Sequence, residues 1–295
     1  MTDDSPAFPP ELERRIFESA AEIHPQMAPT LLRVAHRVLI WLEPLVYKTL
    51  AFTGWPSPNV PPALVRTVQS KPPGFFQRSV HNFIFWNDSD AAIHQPLNPI
   101  DLYAVLSKCT GIQNLALWDL VPSMISMLWD LQPRRLTIPT FPLSYPQVLR
   151  TSTSIFTHIT HLLLTNRHLV IPEADDIPKI SSILCAIPTL THLCVSALVD
   201  RIGLCRILDD CKALKLLLSL HSDDPGPRDV AESAPDPEIT DPRFAIVVMN
   251  YAQYFQDWKI GAAGRRDFWV RAEEFVVKKR KGQTQNLAFW YEDDD

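Results

Sequence analysis

Ile159-Thr160-His161-Leu162-Leu163-Leu164 and Leu190-Thr191-His192-Leu193-Cys194-Val195 share one pattern, apolar-x-x-apolar-x-apolar, and the fold turns on how it is read. Outward from this pair, Val80-x-x-Phe83-x-Phe85 and Ile112-x-x-Leu115-x-Leu117 repeat it. Leu136-x-Ile138, Leu214-x-x-Leu217-x-Ser219 and Ile246-x-Val248 are weaker copies, and an earlier one begins at Leu50-x-Phe52. The central residues at 83, 115, 136, 162, 193, 217 and 246 are on average about 27 residues apart, a period that suits one strand and one helix per unit. Segments 62–68, 100–108, 122–131, 145–151, 177–186 and 199–211 supply the expected helices. Several of them open at Pro, Ser or Asp.

Composition limits what such units are for. The chain has 295 residues, Lys+Arg 28 against Asp+Glu 33 and a net charge of −5, with 46% hydrophobic residues, so it has a sizeable core to bury. Pro 27 against Gly 8 is an unusual balance. Proline stops helices and is kept out of central strands, so the elements should be short and many. Backbone wrapped round a phosphate usually needs glycine, and no GxGxxG, GxxxxGK[ST] or GxSxG occurs, so no cofactor and no enzymatic chemistry are expected. A mildly acidic chain gives no reason to expect nucleic acid as a partner. No run of about 18 uncharged apolar residues occurs, so no membrane span is predicted. Cys109, Cys185, Cys194, Cys205 and Cys211 show no CxxC spacing, and the N-terminus is acidic, so reduced intracellular thiols are expected.

The first fifty residues read differently. Pro9-Pro10 opens a helix with Leu12, Ile16, Phe17 and Ala20 on its apolar positions, and a second run follows from Leu31 to Leu42. Phe8-Pro9-Pro10-Glu11-Leu12, Ile16-Phe17, Leu32-x-Val34-Ala35-x-Arg37, Trp41 and Pro44-Leu45-Val46-Tyr47 together resemble an F-box. That resemblance implies a small helical module at 1–48 that docks on the Skp-type adaptor of a cullin–RING ubiquitin ligase. Carried over by position, Pro10, Leu12, Ile16 and Phe17 become the adaptor-binding residues. The alternative is a helical cap over the end of the next domain's core.

F-box modules followed by leucine-rich repeats form a known architecture, and the chain is similar to F-box-like proteins of the type common in mushroom-forming fungi. The expected fold is α/β: an irregular leucine-rich-repeat-like solenoid over 49–295 behind the N-terminal module. The competing reading is an α/β domain of unrelated buried strands. Residues 222–243 hold seven acidic residues and five prolines with few large apolar side chains, which predicts a flexible acidic loop. A helix near 267–277 should cap the open end of the array.

Side-chain alternation turns the residues beside each anchor outward on the strand surface. Arg135, His161, Leu163 and His192 are therefore the expected partner-binding residues, for an unknown protein substrate. His158-x-x-His161 puts its rings on opposite faces of a strand, and His161 with His192 makes two imidazoles at most, so no metal site is expected. Lys278-Lys279-Arg280-Lys281 resembles a nuclear-import signal in an otherwise cytoplasmic reading. The expected function is a non-enzymatic receptor bridging a ligase adaptor and a substrate, monomeric apart from the adaptor. A ligase-independent interaction scaffold is the alternative.

Overall fold

The computed structural model describes residues 8–54, 60–87, 99–117, 128, 130–139, 156–165, 177–196, 201–221, 239–284 and 288–290. Helix α1, Pro10–Ile23, starts on a proline and carries Glu11 and Glu13 in its first turn, where free N–H groups favour acid. A short 3₁₀ turn leads into α2, Ala28–Leu31, and then α3, His36–Val46. Ala21, Val38 and Leu42 form the buried centre of this bundle, with Phe17, Leu32 and Trp41 packed round it. Arg37 closes it with a two-pronged bond to Glu13, 2.6 and 3.0 Å.

From Thr49 the chain alternates strand and helix. The strands are β1 Thr49–Gly54, β2 Asn82–Asn87, β3 Asn114–Leu117, β4 Arg135–Pro139, β5 His161–Thr165, β6 His192–Ser196, β7 Leu216–His221, β8 Phe244–Val248 and β9 Ala288–Trp290. They form one nine-stranded sheet, every neighbouring pair parallel, in an order that follows the chain. Leu50, Phe83, Leu115, Leu136, Leu162, Leu193, Leu217 and Phe244 are lateral partners across eight strands, so the sequence pattern marks a single row of the sheet. In the last unit that row passes through Phe244, two residues before the expected Ile246, which keeps the same face.

One face of the sheet carries α4 Pro62–Ser70, α5 Phe75–Ser79, α6 Pro99–Leu106, α7 Ile177–Cys185 and α8 Arg201–Asp210. Their apolar residues, among them Val68, Phe76, Leu106, Leu184 and Ile207, share a core with the anchor row. The helices expected at 122–131 and 145–151 fall mainly outside the described residues. The other face carries α9, Tyr251–Ala262, and α10, Phe268–Arg280. Tyr254, Trp258, Phe268, Trp269, Ala272 and Val276 bury Ile84, Ala116, Leu163, Cys194, Leu218, Ala245 and Val247.

This corrects the expected fold. The irregular leucine-rich-repeat-like solenoid is replaced by an α/β sheet with helices on both faces; the α/β class itself stands. The physical reason is the second face. Its strand residues are too apolar to face water, and full burial of one large side chain stabilises by roughly 1.5–3 kcal/mol. The helix expected to cap an open end lies instead across the sheet, reaching from Arg135 on β4 to Phe244 on β8. The step from β8 to β9 thus carries its helices on the face opposite to α4–α8, so its crossover has the opposite hand to theirs.

Two further expectations change. Cys185 and Cys211 are joined as a disulfide, 26 residues apart, at the ends of the neighbouring helices α7 and α8. Cys109, Cys194 and Cys205 remain free thiols. The acidic stretch 222–243 is anchored at its far end: Ile239 is buried, and Asp241 holds the Arg243 guanidinium at 2.6 Å. Arg243 in turn donates to the Leu208 carbonyl at 2.7 Å, fixing the end of α8. Residues 222–238 lie outside the described residues. Among those described, no helix is long and apolar enough to cross a membrane.

Candidate interaction site

The N-terminal helices and the sheet's second face hold all the residues expected to meet partners. On α1, Phe17 and Ala21 point at the small bundle core while Leu12, Ile16 and Ile23 share an adjacent, outward side. Leu12 is 53% and Ile16 54% exposed, and Pro10 is exposed beside them. Of the eleven large apolar residues that stand exposed among the described residues, eight lie between Phe8 and Val46. The structure therefore brings Pro10, Leu12 and Ile16 together on a surface and turns Phe17 half inward. At the bundle's other end, Tyr47 meets the ring edges of Phe75 and Phe76 at 5.8 and 5.2 Å, and Glu43 pairs with Lys71 at 2.5 Å. The bundle is thus seated on the sheet's first units through α3, leaving the apolar side of α1 to solvent.

The expected partner-binding residues are also brought together. The first residues of successive strands, Thr49, Asn82, Asn114, Arg135, His161 and His192, are lateral neighbours and make one polar row. Asn114 donates to the Asn82 side chain at 2.5 Å, and Asn82 reaches Thr49 at 3.0 Å and the Ala262 carbonyl at 3.2 Å. His161 and His192 stack face to face, 4.1 Å between centroids, with Trp269 edge-on to both. Arg135 is paired with Asp267, and His192 Nε2 lies 2.6 Å from Glu273. Leu163 is buried under the helical hairpin that α9 and α10 form.

The surface on which a partner was expected is therefore occupied by α9 and α10. Sequence reasoning placed the row correctly on one face but missed Asp267, Trp269 and Glu273 as its partners. The signal for the hairpin was present in Tyr254, Phe255 and Trp258 at helical spacing, behind an Asn250–Gln253 capping box.

Burial sets the electrostatics of the row. Burial, reinforced by the charge on Arg135 and by the neighbouring ring, pushes the His161 imidazole down to about 2. His192 is lowered too, because burial outweighs the opposing hydrogen bond to the Glu273 carboxylate. A neutral His192 satisfies both of its nitrogens. Its Nε2–H donates to Glu273, and Nδ1 accepts from the Thr191 hydroxyl at 2.8 Å. Tyr254, wholly buried against Thr137 at 2.7 Å, has its phenol pushed up by burial.

A cavity of about 20 Å³ lies beside the row, lined by Asn114, Arg135, Thr137, His161, Tyr254 and Asp267. That is room for one water. Among the described residues, no three His, Cys, Asp or Glu side chains converge as a metal-ligand set. The basic run 278–281 forms the last turn of α10 and its C-cap, where Lys279 donates to the Phe244 carbonyl at 2.9 Å and Arg280 to the Lys215 carbonyl at 3.3 Å. Half of the run is thus engaged within the fold.

No protein-family model matches the chain, and no curated protein matches it.

Proposed function

We propose that the chain is a non-enzymatic, F-box-like substrate receptor. Its N-terminal helices hold the Skp-type adaptor of a cullin–RING ubiquitin ligase, while the α/β body presents a protein substrate. One observation supports this reading above the others. The exposed large apolar side chains are concentrated on a three-helix module whose own core is only three buried residues. Apolar surface collected in one place on a soluble fold marks an interaction site. Three residues exposed on α1, Pro10, Leu12 and Ile16, stand at positions that the F-box resemblance assigns to the adaptor.

The experiment is capture of the chain by a purified Skp-type adaptor. The unmodified chain is retained, and Leu12→Asp with Ile16→Asp is not. Both positions are exposed, so the double variant keeps its stability to within about 0.5 kcal/mol per site. Failure of the adaptor to retain the unmodified chain would overturn the reading. The ligase-independent scaffold would then stand, with α3 serving through Tyr47 and Glu43 as a cap on the first units of the sheet.

A further inference from the structure

With the sheet face covered, the outer side of the hairpin is the place where a substrate segment has room. Val270, Glu273, Glu274, Val277, Lys278 and Lys281 recur along α10 at steps of three and four, so they share one side of the helix. That side opens on a groove of about 600 Å³, completed by Lys215 and Leu216 at the head of β7. Its size suits a short segment of chain, since ligand-binding clefts run from about 300 to 1,000 Å³. Arg280 donates to the Lys215 carbonyl and ties helix and strand together along it.

The charges there do not balance. Glu273 accepts a hydrogen bond from His192 and Glu274 pairs with Arg266 at 2.7 Å, two acids set against four lining cations, Lys215, Lys278, Arg280 and Lys281. Lys215, Lys278 and Lys281 are exposed and form no ion pair among the described residues. Val277, 44% exposed, sits between them as the apolar element.

We propose that this groove binds a short acidic segment of a partner protein. Carboxylates of the segment pair with Lys215, Lys278 and Lys281, and one apolar side chain rests on Val277. A nucleic-acid backbone fits the same groove poorly. The valines offer nothing to a sugar–phosphate chain, whereas a peptide can set an apolar side chain on Val277 between its carboxylates. The proposal rests on the receptor reading only in calling the segment a substrate; the binding itself is a property of the groove.

The test uses the full chain and a dye-labelled peptide of about a dozen residues, Asp and Glu flanking a central Leu, read by fluorescence anisotropy. Saturable binding is expected. Lys215→Glu with Lys278→Glu, and separately Val277→Asp, should each weaken it at least about tenfold. A peptide with Gln and Asn in place of the acids should not bind. Retention of the variants by the adaptor shows that they are folded and separates failure here from failure of the receptor reading. Where the adaptor retains nothing, an unchanged urea midpoint does the same. Absence of peptide binding, or binding indifferent to Lys215 and Lys278, overturns the proposal. So does an RNA oligonucleotide that binds as tightly as the peptide and ignores Val277→Asp, which would mark a general anion patch.

Discussion

His161 and His192 are two imidazoles stacked 4.1 Å apart beneath Trp269, with Arg135 in the same row. Burial lowers both rings, and it pushes His161 down to about 2. The unfolded chain, by contrast, binds protons on them as pH falls below about 6.5. The unfolded state then holds more protons, so stability is full above that value and declines as pH drops. Asp267, Glu273 and Lys215 face the pair from α10 and the head of β7, and the acids offset only part of the effect. Between pH 7.5 and 5.0 the urea-unfolding free energy should fall by roughly 2 kcal/mol on account of His161 alone. His161→Leu should flatten that slope; an equally steep curve in the variant would contradict the assignment. A polar row of this kind was legible residue by residue, since alternation puts Arg135, His161 and His192 on one side. What covers them was not, because contacts across 81 to 132 residues leave no mark in either local pattern.

At the scale of elements, the strands were the readable part. Their apolar anchors recur near 27 residues, and each sits where backbone pairing with its neighbour demands a buried side chain. The hairpin was readable as helix and unreadable as to place. Its apolar positions say that it packs; they do not say against which face. Its corner is held by Asp267, which caps α10 through the Val270 N–H at 3.1 Å and pairs with Arg135. Gly261 makes that approach possible, since a Cβ there would stand 2.3 Å from the Asp267 carboxylate. Gly261→Ala should cost about 1–3 kcal/mol through this clash. Asp267→Ala should cost about 2–4 kcal/mol through the lost cap and the stranded Arg135. In the double variant the glycine's cost should shrink, because the atom it strikes is gone. Strict additivity in denaturant midpoints would show that the clash lies elsewhere. Phe268 N–H on Asp257 at 2.5 Å gives the corner a second tie, so the helix itself should persist in each variant.

For the molecule as a whole, two faces of one sheet depend on different parts of the chain. Among the described residues, the anchor face is covered by helices that directly precede or follow their strands, α4 to α8. The second face is covered, among the described residues, by residues 251–280. A chain ending at Asn250 loses β9 but should keep the pairing of β1 to β8, and it should expose the stripe from Ile84 to Val247. It should bind a hydrophobic dye and aggregate, where the full chain stays monomeric by sedimentation. A truncated chain that stays monomeric and dye-free would mean that this stripe tolerates water.

The same arrangement has a consequence during synthesis. Strand β2 leaves the ribosome with its underside bare, and the residues that shield it come last. At about 5–20 residues per second, the roughly 190 residues still to be made leave that underside open for about 10–40 s. A chaperone that holds apolar strands is the natural companion for that interval.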